Sequence, residues 1–198
     1  MEDELLIEKF KQGDRQAFNT LIWRWEKPIY NFILRYIGDS DQAKDLLQMT
    51  FIRAYKSLNK LNDHAKFSSW LYQIALNQCK DHFKTRKVER LDCLEIVDEE
   101  HDHHSKNIVP IDPSDPPEHY HHYHNTVHVL QKALMLIPEE QRVVIIMKEY
   151  HGLKFQEIGE ILQVPINTIK ARMYYGLSAL QKVFKQWGLD REDFGYEL

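Results

Sequence analysis

Cationic side chains with no acid beside them are the first chemistry this chain offers. Residues 165–187 hold four basic residues, Lys170, Arg172, Lys182 and Lys185, and no Asp or Glu. Such cations neutralise phosphates and release their counterions. An Arg on the leading part of a helix can grip guanine with its planar fork, worth ~1–3 kcal/mol of base discrimination. Lysines there more naturally hold phosphates, which position a protein without reading sequence. A solvated face on an ordinary helix pair has the same composition, so spacing has to decide between them.

A second basic group occurs at Lys80, Lys84 and Lys87, which helical spacing puts on one face with Asn77 at its edge. The polar loop before it carries Asn62, His64 and Lys66. Loops of that kind receive unstacked bases in single-strand binders. Trp70, close by, reads as core rather than as a stacking platform. A third group is histidine: eight of the 11 lie between His101 and His128, with Cys93 nearby. Imidazole binds zinc, copper and nickel. No Cys-x-x-Cys or His-Glu-x-x-His frame fixes a geometry, and histidines scattered through acidic sequence usually solvate. We therefore expect no metal and no cofactor. Nor is there a phosphate-cradling glycine loop, a nucleophile elbow or an organised carboxylate site, so no enzyme is expected.

The elements that must carry these residues are helical. "DRQAFNTLIWRWEKPIYNFILRYIG" runs from a capping Asp14 to a stopping Gly38, with Pro28 as a kink or break inside it. "SDQAKDLLQMTFIRAYKSL" follows, with Ser40 as cap and Ala43, Leu46, Leu47, Phe51 and Ala54 on one side. In "FSSWLYQIALNQCKDHFKTRK", Phe67, Trp70, Leu71, Ile74 and Ala75 make the apolar stripe. Pro138 fits the first turn of "PEEQRVVIIMKEYHG", which Gly152 ends. Its "RVVIIM" core has strand composition, but the Pro-Glu-Glu start favours a buried helix.

The last pattern is "EIGEILQVPINTIKARMYYGLSALQK". On a wheel of ~100° per residue, Ile169, Met173, Leu177, Leu180 and Phe184 form one stripe. Thr168, Ala171, Tyr175, Ser178 and Lys182 point broadly the other way, flanked by Lys170 and Arg172. Ile158, Ile161 and Leu162 of the preceding helix can pack on the stripe, Gly159 permits close approach, and Pro165 sits in the break. This is the pattern of a helix-turn-helix, whose second helix enters the DNA major groove.

Between the helical blocks, "LDCLEIVDEEHDHHSKNIVPIDPSDPPEHYHHYHN" holds four of the seven prolines and no sustained apolar stripe. It cannot offset its ordering entropy by burial and reads as a flexible tether. The net charge of −4 resolves accordingly: 16 basic and 12 acidic residues over 1–90, 1 and 9 over 91–128, and 9 and 9 over 129–198. The acidity lies in the tether, while local fields decide binding. The expected organisation is all-α: a helical domain over 1–90, a flexible acidic, His/Pro-rich linker over 91–125, a helix-turn-helix domain over 126–187, and an acidic tail over 188–198. No apolar run reaches ~18–20 residues, so no transmembrane helix is expected. The acidic start is unlike a secretory signal, and two cysteines, Cys79 and Cys93, fit a reducing cytoplasm rather than a disulfide framework.

Both blocks together resemble a known family. "DSDQAKDLLQMTFIRAYKSL" with "KFSSWLYQIALNQCKDHFKTRK", then "LIPEEQRVVIIMKEYHGLKFQEIGEILQVPINTIKARMYYGLSALQK", is similar to a bacterial extracytoplasmic-function (ECF) sigma factor of the sigma-70 family. Each motif is moderately specific, and both in this order are highly specific. The resemblance implies that the first domain binds core RNA polymerase through Asp45, Leu46, Gln48 and Phe51. It implies that His64, Lys66, Asn77, Lys80, Asp81, Lys84 and Lys87 recognise and melt the minus-ten element of promoter DNA. It implies that Asn167, Thr168, Lys170, Ala171, Arg172, Tyr175 and Lys182 face the minus-thirty-five element. It further implies an anti-sigma partner, often membrane-anchored, that covers the polymerase-binding surfaces. Four residues depart from the family pattern: Met49 and Thr50 stand where an acid is common, Gln163 where Gly is common in the turn, and Ala171 where Ser is usual.

Reach is sufficient for both elements. About 35 tether residues span up to ~105 Å in a polyproline-like state, and elements ~17 base pairs apart lie ~58 Å from each other. In the family the linker runs where nascent RNA will leave, so an acidic tether would suit that basic path by mimicking RNA's charge. Two rivals stand beside this reading. An autonomous helix-turn-helix regulator would need a dimer to read two half-sites, and no heptad seam is present. A metal-buffering scaffold would leave both helical blocks without purpose.

Overall fold

The computed structural model describes the backbone of residues 2–92 and 117–189 and the side chains of 2–85 and 127–189. Every regular element among the described residues is helical, and the chain divides into two compact units.

The first unit begins with α1 (Glu2–Lys11), acidic in its first turn and basic in its last, as its dipole favours. α2 (Arg15–Ile37) starts where Asp14 accepts a hydrogen bond from the Gln16 N–H at 2.9 Å and ends at Gly38 with φ 84°. Arg24 of α2 donates to Asp3 at 2.6 Å and also meets Glu2, while Trp25 Nε1 donates to the other Asp3 oxygen. The helix runs through Pro28 without a break. An internal proline costs about 3 kcal/mol. Ile29, Phe32 and Ile33 directly after it are fully buried, and each contributes about 1.5–3 kcal/mol, so packing carries the helix across.

α3 (Ser40–Ser57) is capped by Asp39, not by Ser40: its carboxylate accepts from the N–H groups of Asp41 and Gln42. A carboxylate serves two orphan donors and the positive helix end at once, which a hydroxyl does not. Single 3-10 turns at Leu58–Lys60 and His64–Lys66 then lead into α4 (Phe67–Asp92). Phe67, Leu71 and Ala75 are buried as expected, but Trp70 and Ile74 are only half-buried. The core arc of α4 is rotated towards Tyr72, Leu76 and Cys79, all buried. Tyr72 packs edge-on against Trp25 and Phe32, and burial raises its phenol pKa.

In the second unit, α5 (Pro117–Leu136) begins within the stretch that read as tether, rather than near 126. Proline is tolerated at a first helical position, and a helix already anchored by buried Ala133 and Leu134 extends cheaply, one bond per residue. Residues 93–116, which hold most of the expected tether, and the tail beyond 189 lie outside the described residues.

α6 (Glu139–Ile145) starts after Pro138, which is the cap residue and not the first helical one. It continues as a π-helical turn over Ile146–Tyr150, and Gly152 at φ 63° turns the chain. Val143 to Met147 are all buried, so "RVVIIM" is a helix submerged on all sides. α7 (Phe155–Leu162) is stabilised by the Glu157 carboxylate, which accepts from the Lys154 N–H at 2.6 Å. Gln163 then takes the left-handed conformation at φ 57°, and α8 (Ile166–Gln186) follows. Gly159 serves the turn itself: a Cβ there would sit 3.0 Å from the Val164 carbonyl oxygen.

Candidate nucleic-acid and protein interfaces

The buried seam of α8 is Ile169, Met173, Gly176 and Leu180. Leu177, expected in the stripe, is 48% exposed, and Phe184 is half-buried. The reason is the helix that crosses α8. A Cβ on Gly176 would lie 2.8 Å from Ile145 Cδ1 and 3.1 Å from Gln141 Cβ, so α6 passes directly over this glycine. The seam is rotated towards position 176, and Leu177 turns outward.

That rotation sorts the upstream candidates. Asn167, Lys170, Ala171, Tyr175 and Lys182 are exposed, and Thr168 is half-buried. Arg172 is different. Its guanidinium donates to Glu140 Oε2 at 2.6 Å, and its side chain is 21% exposed. Tyr174 is 71% exposed and meets Tyr175 edge-on at 5.7 Å between ring centres. Sequence reading passed over Tyr174 because the wheel emphasised charge; its spacing of four from Lys170 was the available signal.

On α4, Asn77, Lys80, Asp81 and Lys84 are all exposed and fall within one arc. The Lys87 side chain lies outside the described ones. Asp81 faces Arg53 of α3 at 3.5 Å, and the half-buried Trp70 lies along the same edge of the helix. His64 and Lys66 sit in the 3-10 turn that precedes α4, where Asp63 accepts from the Ala65 N–H and shapes the loop. The structure thus places the loop and the lysine face at one end and one side of a single helix.

The polymerase-facing candidates divide in two. Asp45 and Gln48 are exposed, whereas Leu46 and Phe51 are each 8% exposed and belong mainly to the core. α2 and α3 enclose an open cleft of about 510 Å³, lined by Ile22, Leu47, Gln48, Phe51, Ile52 and Tyr55 among others. Phe51 therefore forms part of its wall. Met49 and Ile52 are exposed beside it, and Tyr55 rests edge-on against Phe10 and Phe18. Sequence reading singled out Met49 in place of the usual acid but missed Ile52 and Tyr55. Of the eight histidines from His101 to His128, His128 alone has a described side chain, and no group of three metal-binding side chains occurs among the described residues.

Comparison with known proteins matches both units. Family models for sigma-70 region 2 and sigma-70 region 4 match residues 21–88 and 128–180. Over 89% of this chain and 93% of the relative, the chain is 33% identical to the ECF RNA polymerase sigma factor SigW of Bacillus subtilis. It is 27% identical to the RNA polymerase sigma-H factor of Pseudomonas aeruginosa, over 93% of this chain and 94% of that one. Among solved structures, the sigma factor RpoE in complex with the anti-sigma factor NepR from Bartonella quintana shares the fold. Its TM-score is 0.68 at 21% identity, over 86% of this chain and 98% of that one.

Proposed function

We propose, because this chain belongs to the sigma-70 family as an extracytoplasmic-function sigma factor of RNA polymerase, that its two units divide promoter recognition between two separate DNA elements. The chain is a specificity subunit: it binds core RNA polymerase and directs initiation at chosen promoters. The catalytic groups belong to the polymerase.

In this reading the α2–α3 cleft and the adjoining face with Asp45 and Gln48 dock on core polymerase. Leu46 and Phe51 act from beneath, by holding that face in shape. The loop at His64 and Lys66 and the face with Asn77, Lys80, Asp81, Lys84 and Lys87 take the minus-ten strand as it opens. Lysines there neutralise phosphates, and the loop offers polar edges to an extruded base. The outward side of α8, with Asn167, Thr168, Lys170, Ala171, Tyr175 and Lys182, lies in the major groove of the minus-thirty-five element.

One observation carries the assignment above the others. α8 presents an acid-free, exposed side across a tight turn from α7, while a second basic face stands on a separate unit. An autonomous regulator would leave that second face without a task. By the same reasoning the cleft is where an anti-sigma protein would compete with polymerase; the Bartonella quintana relative is itself in complex with an anti-sigma factor. No described helix is long and apolar enough to cross a membrane. In this reading the site of action is the cytoplasm, where the promoter is.

The test is transcription by core RNA polymerase on a library of promoter fragments, with and without the protein, followed by sequencing of the transcripts. Initiation from a shared two-element motif, seen only with the protein, is the expected result. DNA retention by the protein alone, with no polymerase-dependent initiation, would give the autonomous regulator instead.

A further inference from the structure

The geometry points to Arg172 as a positioning residue that docks α8 on α6 through Glu140, leaving the upstream element to Asn167, Lys170, Tyr174 and Tyr175. This inference rests on the proposed promoter role of α8.

Arg172 follows Ile169 by three residues and precedes Gly176 by four, so it lies on the same flank as the buried seam. Gly176 is the point where α6 crosses, against Gln141 and Ile145. Glu140 is the neighbour of Gln141, and it receives the Arg172 guanidinium at 2.6 Å. Pair and crossing are therefore one contact region. Glu140 also stands in the first turn of α6. To reach a base, Arg172 would have to leave a charge-assisted hydrogen bond and uncover a stem that is now only 21% exposed. Lys170, Tyr174 and Tyr175 are exposed where they stand. The fork that reads guanine in other helices is here turned inward, and it sets the angle at which its neighbours meet the DNA.

Arg172→Ala, Glu140→Ala, the double variant and the milder Glu140→Gln test this in the full-length protein. Promoter binding by the holoenzyme is measured against a randomised minus-thirty-five element, well below each variant's thermal midpoint so that all are folded. Either single alanine should weaken binding by about three- to tenfold, uniformly across sequences and with base preference unchanged. The double variant should lose no more than the single ones, the sign of a shared contact, and Glu140→Gln should retain part of the effect. A changed base preference at one position in Arg172→Ala but not in Glu140→Ala would make Arg172 a reader and overturn the inference. So would unchanged binding in both folded alanine variants, which would reduce the pair to stability alone. Failure of the wild-type protein to initiate with polymerase would instead sink the promoter role. The coupling of Glu140 and Arg172 in thermal unfolding of the free chain still reports on the contact in that case: additive shifts would refute it.

Discussion

The two basic faces are built on opposite principles. The α4 face lies on one long helix whose other side is sunk in a core of large residues, among them Phe67, Leu71 and Leu76. The α8 face belongs to a smaller unit, and its orientation depends on a glycine crossing and a tight turn. Each face also has a charged residue turned back to its own unit. Asp81 meets Arg53 at 3.5 Å with both side chains about half exposed, whereas Arg172 meets Glu140 at 2.6 Å with the Arg mostly covered. The first pair is worth about 0–1 kcal/mol in water; the second sits at a packing seam. A basic surface on one long, core-backed helix should therefore tolerate change better than one whose orientation is set by a close helix crossing.

The largest effect should come from Gly176→Val, which forces side-chain atoms into Ile145 and Gln141. Overpacking of this kind costs about 1–3 kcal/mol or more, and the thermal unfolding of the second unit should move down while the first unit's transition stays. Loss of both transitions together would break the comparison. A smaller and different effect is expected from the lysines. Lys80→Ala with Lys84→Ala should lower the salt slope for single-stranded minus-ten DNA by about 0.7 per residue, and Lys170→Ala that for duplex minus-thirty-five DNA by about 0.9. Binding titrations over a salt series read this directly; equal effects of all three on both ligands would deny the division of labour.

Gln163→Gly tests the turn. A side chain in the left-handed region is strained, so glycine should stabilise the second unit by about 0.5–1 kcal/mol in denaturant unfolding. Destabilisation would mean that the Gln163 side chain contributes something beyond its backbone angle. Asp81→Ala should matter least, by less than about 0.5 kcal/mol, because it removes only the exposed pair with Arg53. A larger loss would show that the Arg53 contact to α4 is part of the core, since Gln78, buried beside it, accepts from the same guanidinium once its amide is turned.

Local signals were legible wherever a single segment contains both partners. Asp14 and Gly38 bracket α2 because cap and stop chemistry acts within a few residues. "RVVIIM" was assignable to a helix from the residues before it. Ser40 is not the cap because Asp39, one residue earlier, takes the N–H groups of Asp41 and Gln42 and starts the helix there. The interface candidates were less legible, since Leu46 and Phe51 have the family's residue types but are largely buried. Ile52 and Tyr55, which line the cleft, carry no charge to attract notice.

The helical content, the two-block order and the acid-free run before Trp187 follow from residue types and their spacing, because periodicity and charge are properties of neighbours along the chain. Which arc of each helix faces inward does not follow. A wheel treats a helix as alone, and its stripe for α8 included Leu177 and left Arg172 pointing to DNA. The crossing of α6 at Gly176 rotated that stripe, exposed Leu177 and turned Arg172 to Glu140. Contacts between residues 32 positions apart depend on how two surfaces fit, and close packing admits one fit where spacing admits several.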